Sequence, residues 1–178
     1  MRLFIAIDLP EEVKSELLKA QRQLPEGKEE NLSRTKDFHI TLKFLGDVTP
    51  QKAGELKEKL RQVRFPISRT TLSGLGVFPN ENRIRVVWAS ISPEEEVVKL
   101  QRQIDILTGK EFPDDYKFSG HITLARVKYV PDKKQFMQQL KKIKIEPVKF
   151  AVESFKLKKS TLTIKGAVHE DLEVYAAD

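Results

Sequence analysis

The chain has 178 residues, 39% apolar and 33% charged, with a mean hydropathy of −0.43 and a net charge of +6. That balance describes a charge-rich globular protein with room for one good core, and it excludes a disordered chain. The lack of cysteine excludes disulfides, thiolate metal sites and a cysteine nucleophile, and a sequence pI near 9.4 favours polyanionic partners such as RNA or DNA.

The apolar run from Leu3 to Ile7, closed by Asp8 and Pro10, reads as a buried first strand. It is too short for a membrane span or for the core of a secretion signal, and the lack of cysteine fits a reducing compartment, so a cytoplasmic protein is expected. Pro10 and the Glu11-Glu12 pair open a helix through about Leu24, with Val13, Leu17 and Leu18 on one face. The polar stretch from Pro25 to Lys36 reads as a loop. Phe38 to Leu45 is the next strand, and Thr49-Pro50 caps a helix to about Val63. Ile67 to Val77 and Arg83 to Ile91 are strands joined by the turn FPNENR. Ser92-Pro93 and three Glu start a third helix, ending at Gly109. His121 to Tyr129 is a strand, and Pro131-Asp132 opens a fourth helix to about Ile143. Strands at Val148 to Leu157, Thr161 to Ile164 and Glu170 to Ala176 close the chain.

Each half repeats a strand, helix and strands in the same rhythm, which points to an internal duplication. Mixed helices and antiparallel hairpins predict an α+β fold: two antiparallel-sheet lobes with outer helices around a central cleft. No linker composition separates the halves, so one domain spanning residues 1–178 is expected, as a monomer.

The tetrapeptide His-Ile-Thr-Leu occurs at 39–42 and again at 121–124, using two of only three histidines. In a strand, residues two apart share a face. His39 and Thr41 therefore point together, as do His121 and Thr123, while Ile40, Leu42, Ile122 and Leu124 take the core face. If a pseudo-two-fold axis relates the halves, both polar faces line one cleft. One imidazole takes a proton from water while the other gives one to a leaving oxygen, and the Thr hydroxyls hold a phosphate between them. That constellation suits phosphoryl transfer without a metal or other cofactor. Zinc needs three or four close ligands, and the sequence offers two widely separated histidines, no cysteine and no nearby acidic cluster of the right form. No nucleophile elbow and no Gly-x4-Gly-Lys phosphate loop is present. Spacing leaves open which histidine is the acid.

The pattern FHITLKFLG, GVFPN, RIRVVW, GHITLARV and KSTLTIKG resembles the two-histidine phosphoesterases of the LigT-like group. These are called RNA 2′,3′-cyclic phosphodiesterases, formerly 2′-5′ RNA ligases. The resemblance runs over nearly the whole chain. It implies a bilobal fold and hydrolysis of 2′,3′-cyclic phosphate ends to 2′-phosphates, with His39 as acid, His121 as base, and Thr41 and Thr123 on the phosphate. It also implies ATP-independent 2′-5′ joining in reverse, and RNA ends, including tRNA fragments, or cyclic nucleotides as substrates. Relatives commonly carry Pro and Tyr in the stretch that here reads TIKGAVHE, where this chain has Ile164 and His169. His169 is read as structural or at the rim.

Secondary candidates surround the motifs. Arg126 suits a phosphate, but strict alternation puts it opposite His121 unless a bulge intervenes. Lys43 shares the face of His39 and Thr41, where it either guides RNA or reaches solvent, and Phe44 takes the core face. Arg83 and Arg85 share a strand face suited to RNA phosphates, with Trp88 in the core. Two alternatives remain: a noncatalytic RNA-binding protein, and an RNA ligase acting mainly in the joining direction.

Overall fold

The computed structural model describes residues 1–27, 30–113 and 117–178. Strand β1 (Arg2–Asp8) carries the apolar run expected of it, and Leu3 to Ile7 are all buried. It lies between two neighbours and has both faces covered, so its sequence is continuously apolar rather than alternating. Helix α1 (Glu11–Arg22) follows, with two acids in its first turn against the positive end of the helix dipole. Val13 and Leu17 are buried as expected, but Leu18 is exposed and so lies off their face. Strand β3 (His39–Asp47) comes next, after β2 (Asn31–Arg34). Helix α2 (Pro50–Leu60) is capped by Thr49, whose side chain accepts from Lys52 N at 3.3 Å. Strands β4 (Ser68–Asn80) and β5 (Arg83–Ser92) form a hairpin, followed by α3 (Glu95–Thr108) and β6 (His121–Tyr129). Asp132 caps α4 (Lys133–Lys142), and β7 (Lys149–Val152), β8 (Ser154–Thr163) and β9 (Gly166–Ala176) end the chain.

The strands form one antiparallel sheet in the order β7-β4-β5-β6-β3-β1-β8-β9, with β2 paired to β6. Buried residues of all four helices join Leu3, Ile5, Ile40, Leu42, Ile122 and Leu124 in one core. The opposite face of the sheet holds the His and Thr side chains. The order is symmetric about the β3/β6 junction, and β1-α1-β3-α2 in one lobe answers β5-α3-β6-α4 in the other.

Three expectations are corrected. Asn31–Arg34, read as loop, is a strand, because it finds the free edge of β6 beyond the end of β3. Lys28 and Glu29 of the same stretch lie outside the described residues. The strand expected from Val148 to Leu157 is two strands that part at Glu153: β7 pairs with β4 in the second lobe and β8 with β1 in the first. Alternation runs on through that crossing, so local pattern does not mark it. The last two strands are one long hairpin, which turns at Gly166 with φ +114°, a conformation that favours glycine.

Candidate functional site

Ile40 pairs with Ile122, the one bridge between β3 and β6 among the described residues. One step along that antiparallel register sets His39 across from Thr123 and Thr41 across from His121. All four are half-buried on the sheet face opposite the helices. The burial patterns of β3 and β6 agree at every one of their nine positions. The duplication is thus present in packing as well as in the tetrapeptide.

Matched bulges change what lies beyond each motif. Thr41 faces Ala6 and Lys43 faces Ile5, so Leu42 is the extra residue in β3. Thr123 faces Trp88 and Ala125 faces Val87, so Leu124 is the extra residue in β6. A bulge shifts the alternation by one. Arg126 is therefore exposed on the face of His121, while Val127 points to the core. The same shift overturns the reading of Lys43 as an RNA contact: it is wholly buried on the helix side and pairs with Asp105 of α3. Phe44, expected in the core, is 55% exposed and occupies the place of Arg126 in the other lobe. Trp88 is also corrected. A bulge at Arg85 puts Val87, Ala89 and Ile91 in the core and leaves Trp88 half-buried beside His121. Arg83 and Arg85 are exposed, and the Arg85 guanidinium donates to the Lys128 carbonyl at 3.3 Å.

Aromatic rings surround His121. The Phe78 ring stands perpendicular to the imidazole at 4.9 Å, and the Trp88 indole lies 6.4 Å away. The indole covers Gly76 so closely that a Cβ there would come within 2.4 Å of it. The Ser119 carbonyl lies 2.8 Å from His121 Nδ1. A carbonyl only accepts, so Nδ1 carries the hydrogen and Nε2 of the neutral ring keeps its lone pair for the cleft. Burial pushes the His121 pKa down, against the pull of the carbonyl and with help from the charge of His39. The strand start is held by Glu94, which accepts from Gly120 N at 3.0 Å.

Charge surrounds His39 instead. Its Nδ1 lies 3.6 Å from Asp37 Oδ2, an ion-pair distance too long for a good hydrogen bond. The same oxygen accepts from His169 Nδ1 at 2.8 Å. Contact first with His39 and then with His169 outweighs partial burial and holds the Asp37 carboxyl well below the usual carboxylate range. The two rings stand edge to face at 5.4 Å, both against Phe4. Beside them Lys158, almost fully buried, bridges Asp8 at 2.8 Å and Asp171 at 2.7 Å, and Lys156 does the same at 2.6 and 2.5 Å. An open cavity of about 590 Å³ adjoins Asp37, lined also by Lys14, Arg34 and Lys36.

The sequence reading did not find Asp37, Phe78 or Gly76, and it left His169 as structural or at the rim. Asp37 carried a signal, an acid two residues before His39 at the same parity. His169 carried none, because it arrives from β9 at the far end of the chain.

The model of the LigT-like phosphoesterases matches residues 7–88 and 90–169. The chain belongs to the LigT-like phosphoesterase family. Similar proteins of this family include the RNA 2′,3′-cyclic phosphodiesterase of Methanocaldococcus jannaschii, 36% identical over 96% of this chain and 97% of that one. The enzyme of the same name from Thermotoga maritima is 37% identical over 97% of this chain and 93% of its own. A Thermus thermophilus protein of known crystal structure matches with a TM-score of 0.80 at 30% identity, over 99% of this chain and 97% of that one. The two-lobe architecture of this LigT-like chain thus agrees with the fold expected from its repeats. Among the described residues no helix is long and apolar enough to cross a membrane.

Proposed function

We propose that the protein hydrolyses the 2′,3′-cyclic phosphate ends of RNA to 2′-phosphates, with His121 as general base and His39 as general acid. The observation that carries this reading is the unlike backing of two otherwise matched histidines. His121 rests on a carbonyl and apolar rings, which favour the neutral ring with Nε2 free. His39 rests beside the carboxylate of Asp37, the counter-charge of a protonated ring. His121 Nε2 takes a proton from water as its oxygen forms the bond to phosphorus. The bond from phosphorus to O3′ breaks on the opposite side, and His39 gives its proton to that oxygen. Proton exchange with solvent restores both rings. The step needs no metal.

Thr41 and Thr123, each across the strand junction from a histidine, are the hydroxyls that donate to the nonbridging oxygens. Arg126 adds a fixed positive charge on the same face. Phe44 offers a base an exposed ring. The exposed Arg83 and Arg85 suit the phosphates of a longer chain, so RNA ends such as those of tRNA fragments fit as well as free cyclic nucleotides. A monomer suffices, since both motifs come from one chain.

The test is incubation of an RNA oligonucleotide bearing a 2′,3′-cyclic end with the protein in EDTA, beside His39→Ala and His121→Ala. The 2′-phosphate forms with wild type, and each variant is slower by roughly 10²–10⁴-fold. An unchanged substrate with wild type sinks the enzyme reading, and near-normal rates in either variant sink the two-histidine mechanism.

A further inference from the structure

Of the two places open to the third histidine, structural or rim, it takes the first, hydrogen-bonded and mostly buried. It comes from β9 to stand beside His39, and with Asp37 it makes a cluster in which one donor atom from each residue lies within 4.8 Å of the others. Its Nδ1 already meets Asp37 Oδ2 at 2.8 Å, and His39 Nδ1 is 3.6 Å from the same oxygen. His39 Nδ1 is buried with no hydrogen-bond partner within reach. Two imidazoles and a carboxylate thus converge on one point, and one of their nitrogens is buried without a hydrogen bond.

We propose that Asp37, His39 and His169 bind a transition-metal ion of the zinc(II), nickel(II) or copper(II) class, and that this ion inhibits the enzyme by taking His39. Imidazole with carboxylate suits these ions, whereas magnesium and calcium favour oxygen donors alone. Bonds of about 2.0–2.1 Å around a tetrahedral zinc set ligand atoms roughly 3.4 Å apart. The 2.8 and 3.6 Å separations bracket that value, and the widest separation closes with side-chain shifts of about 1.5 Å or less. Three protein ligands leave a fourth position for water or a substrate phosphate oxygen. The Asp37 carboxylate offsets one of the ion's two charges, and the neighbouring Lys156, Lys158, Asp8 and Asp171 cancel one another.

Inhibition follows from the electron pair the metal needs. A ring bound through one nitrogen has used the lone pair there and holds at most one N–H on the other. It is no longer an imidazolium with a proton to give, whichever nitrogen binds. The inhibitory half of the proposal rests on the reading of His39 as the acid. The binding half stands without it.

The test uses the whole protein freed of metal with EDTA and then dialysed. Zinc(II) is titrated by calorimetry and cobalt(II) by its visible absorption, with His169→Gln and Asp37→Asn beside wild type and folding checked by circular dichroism. Wild type binds one equivalent, and each variant binds roughly 10–100-fold more weakly or worse, at least the cost of losing an outer-shell partner. Hydrolysis by wild type falls as zinc(II) saturates the site and returns with EDTA, while each variant, measured against its own metal-free rate, resists. No heat and no cobalt absorption overturns the site. Equal binding by wild type and both variants places the ion elsewhere and also overturns it. Saturation without loss of rate overturns the inhibitory half. Metal-free wild type that binds cobalt but hydrolyses nothing upholds the site and fails the catalytic reading instead.

Discussion

Gly76→Ala tests whether the aromatic support of His121 matters to catalysis. The added Cβ would lie 2.4 Å from Trp88 Cζ2 and 2.5 Å from Cη2, where ordinary contact begins near 3.4 Å. The indole must therefore retreat by about 1.0 Å, the difference between those distances. It is held 4.8 Å from Phe78, and Phe78 stands 4.9 Å from His121, so the retreat is passed to the imidazole. Overpacking of this kind costs about 1–3 kcal/mol, or roughly 2–12 °C in Tm for a chain of this size. A reacting group displaced by about 1 Å loses up to ~10²-fold in rate. The expected result is a kcat lowered about 10–100-fold on a cyclic-phosphate RNA end, with a smaller change in KM. In a Trp88→Leu background the same substitution costs much less, because the ring it meets is gone. A kcat within about twofold of wild type, with Tm moved by less than about 1 °C, would refute the argument that this packing positions the base.

The acid limb of kcat/KM reports the His121 base. The ring must be neutral to act, and burial lowers its pKa, so activity persists below the usual imidazole midpoint of about 6.5 and is lost as pH falls through the depressed value; an acid limb centred above pH 7 contradicts this. Arg126→Ala removes an exposed charge from the face of His121 and, on the proposed phosphate contact, lowers kcat/KM about 10–100-fold, the loss of a charged hydrogen bond of ~1.5–3 kcal/mol. Lys43→Met, on the helix side of the sheet, leaves kcat/KM and its salt dependence near wild type, and a loss as large as that of Arg126→Ala returns Lys43 to the site. Gln21 Nε2 donates to the Thr35 and Leu124 carbonyls at 2.7 and 2.8 Å, tying the loop before Asp37 to the β6 bulge. Gln21→Leu strips the Thr35 carbonyl of that donor and lowers stability by about 1–3 kcal/mol in a denaturant titration; an unchanged midpoint shows the tie to be dispensable.

The repeated His-Ile-Thr-Leu was legible without coordinates because two separate periodicities meet in it. Alternation separates the polar pair from the apolar pair, and repetition in each half marks the lobes. The core positions Ile40, Leu42, Ile122 and Leu124 follow from the same rule and are wholly buried. Alternation also misled at Lys43, Phe44 and Trp88. Each lies at or just past a bulge, and a bulge is a property of two strands in register, not of one strand's sequence.

The sequence by itself determined the four helices, most of the strands, the α+β class, the duplication and the residue types His and Thr on one strand face, because these depend on local period and residue chemistry. Only the tertiary structure decided which strands are neighbours, where the chain crosses from one lobe to the other at Glu153, and which side chains surround each histidine. His169 lies 130 residues beyond His39 along the chain but edge to face with it in space. Spacing in sequence carries no record of that contact, since it arises from the pairing of β9 with β8 and of β8 with β1. The difference between two identical tetrapeptides, one beside a carboxylate and one among aromatic rings, belongs to the same class of fact.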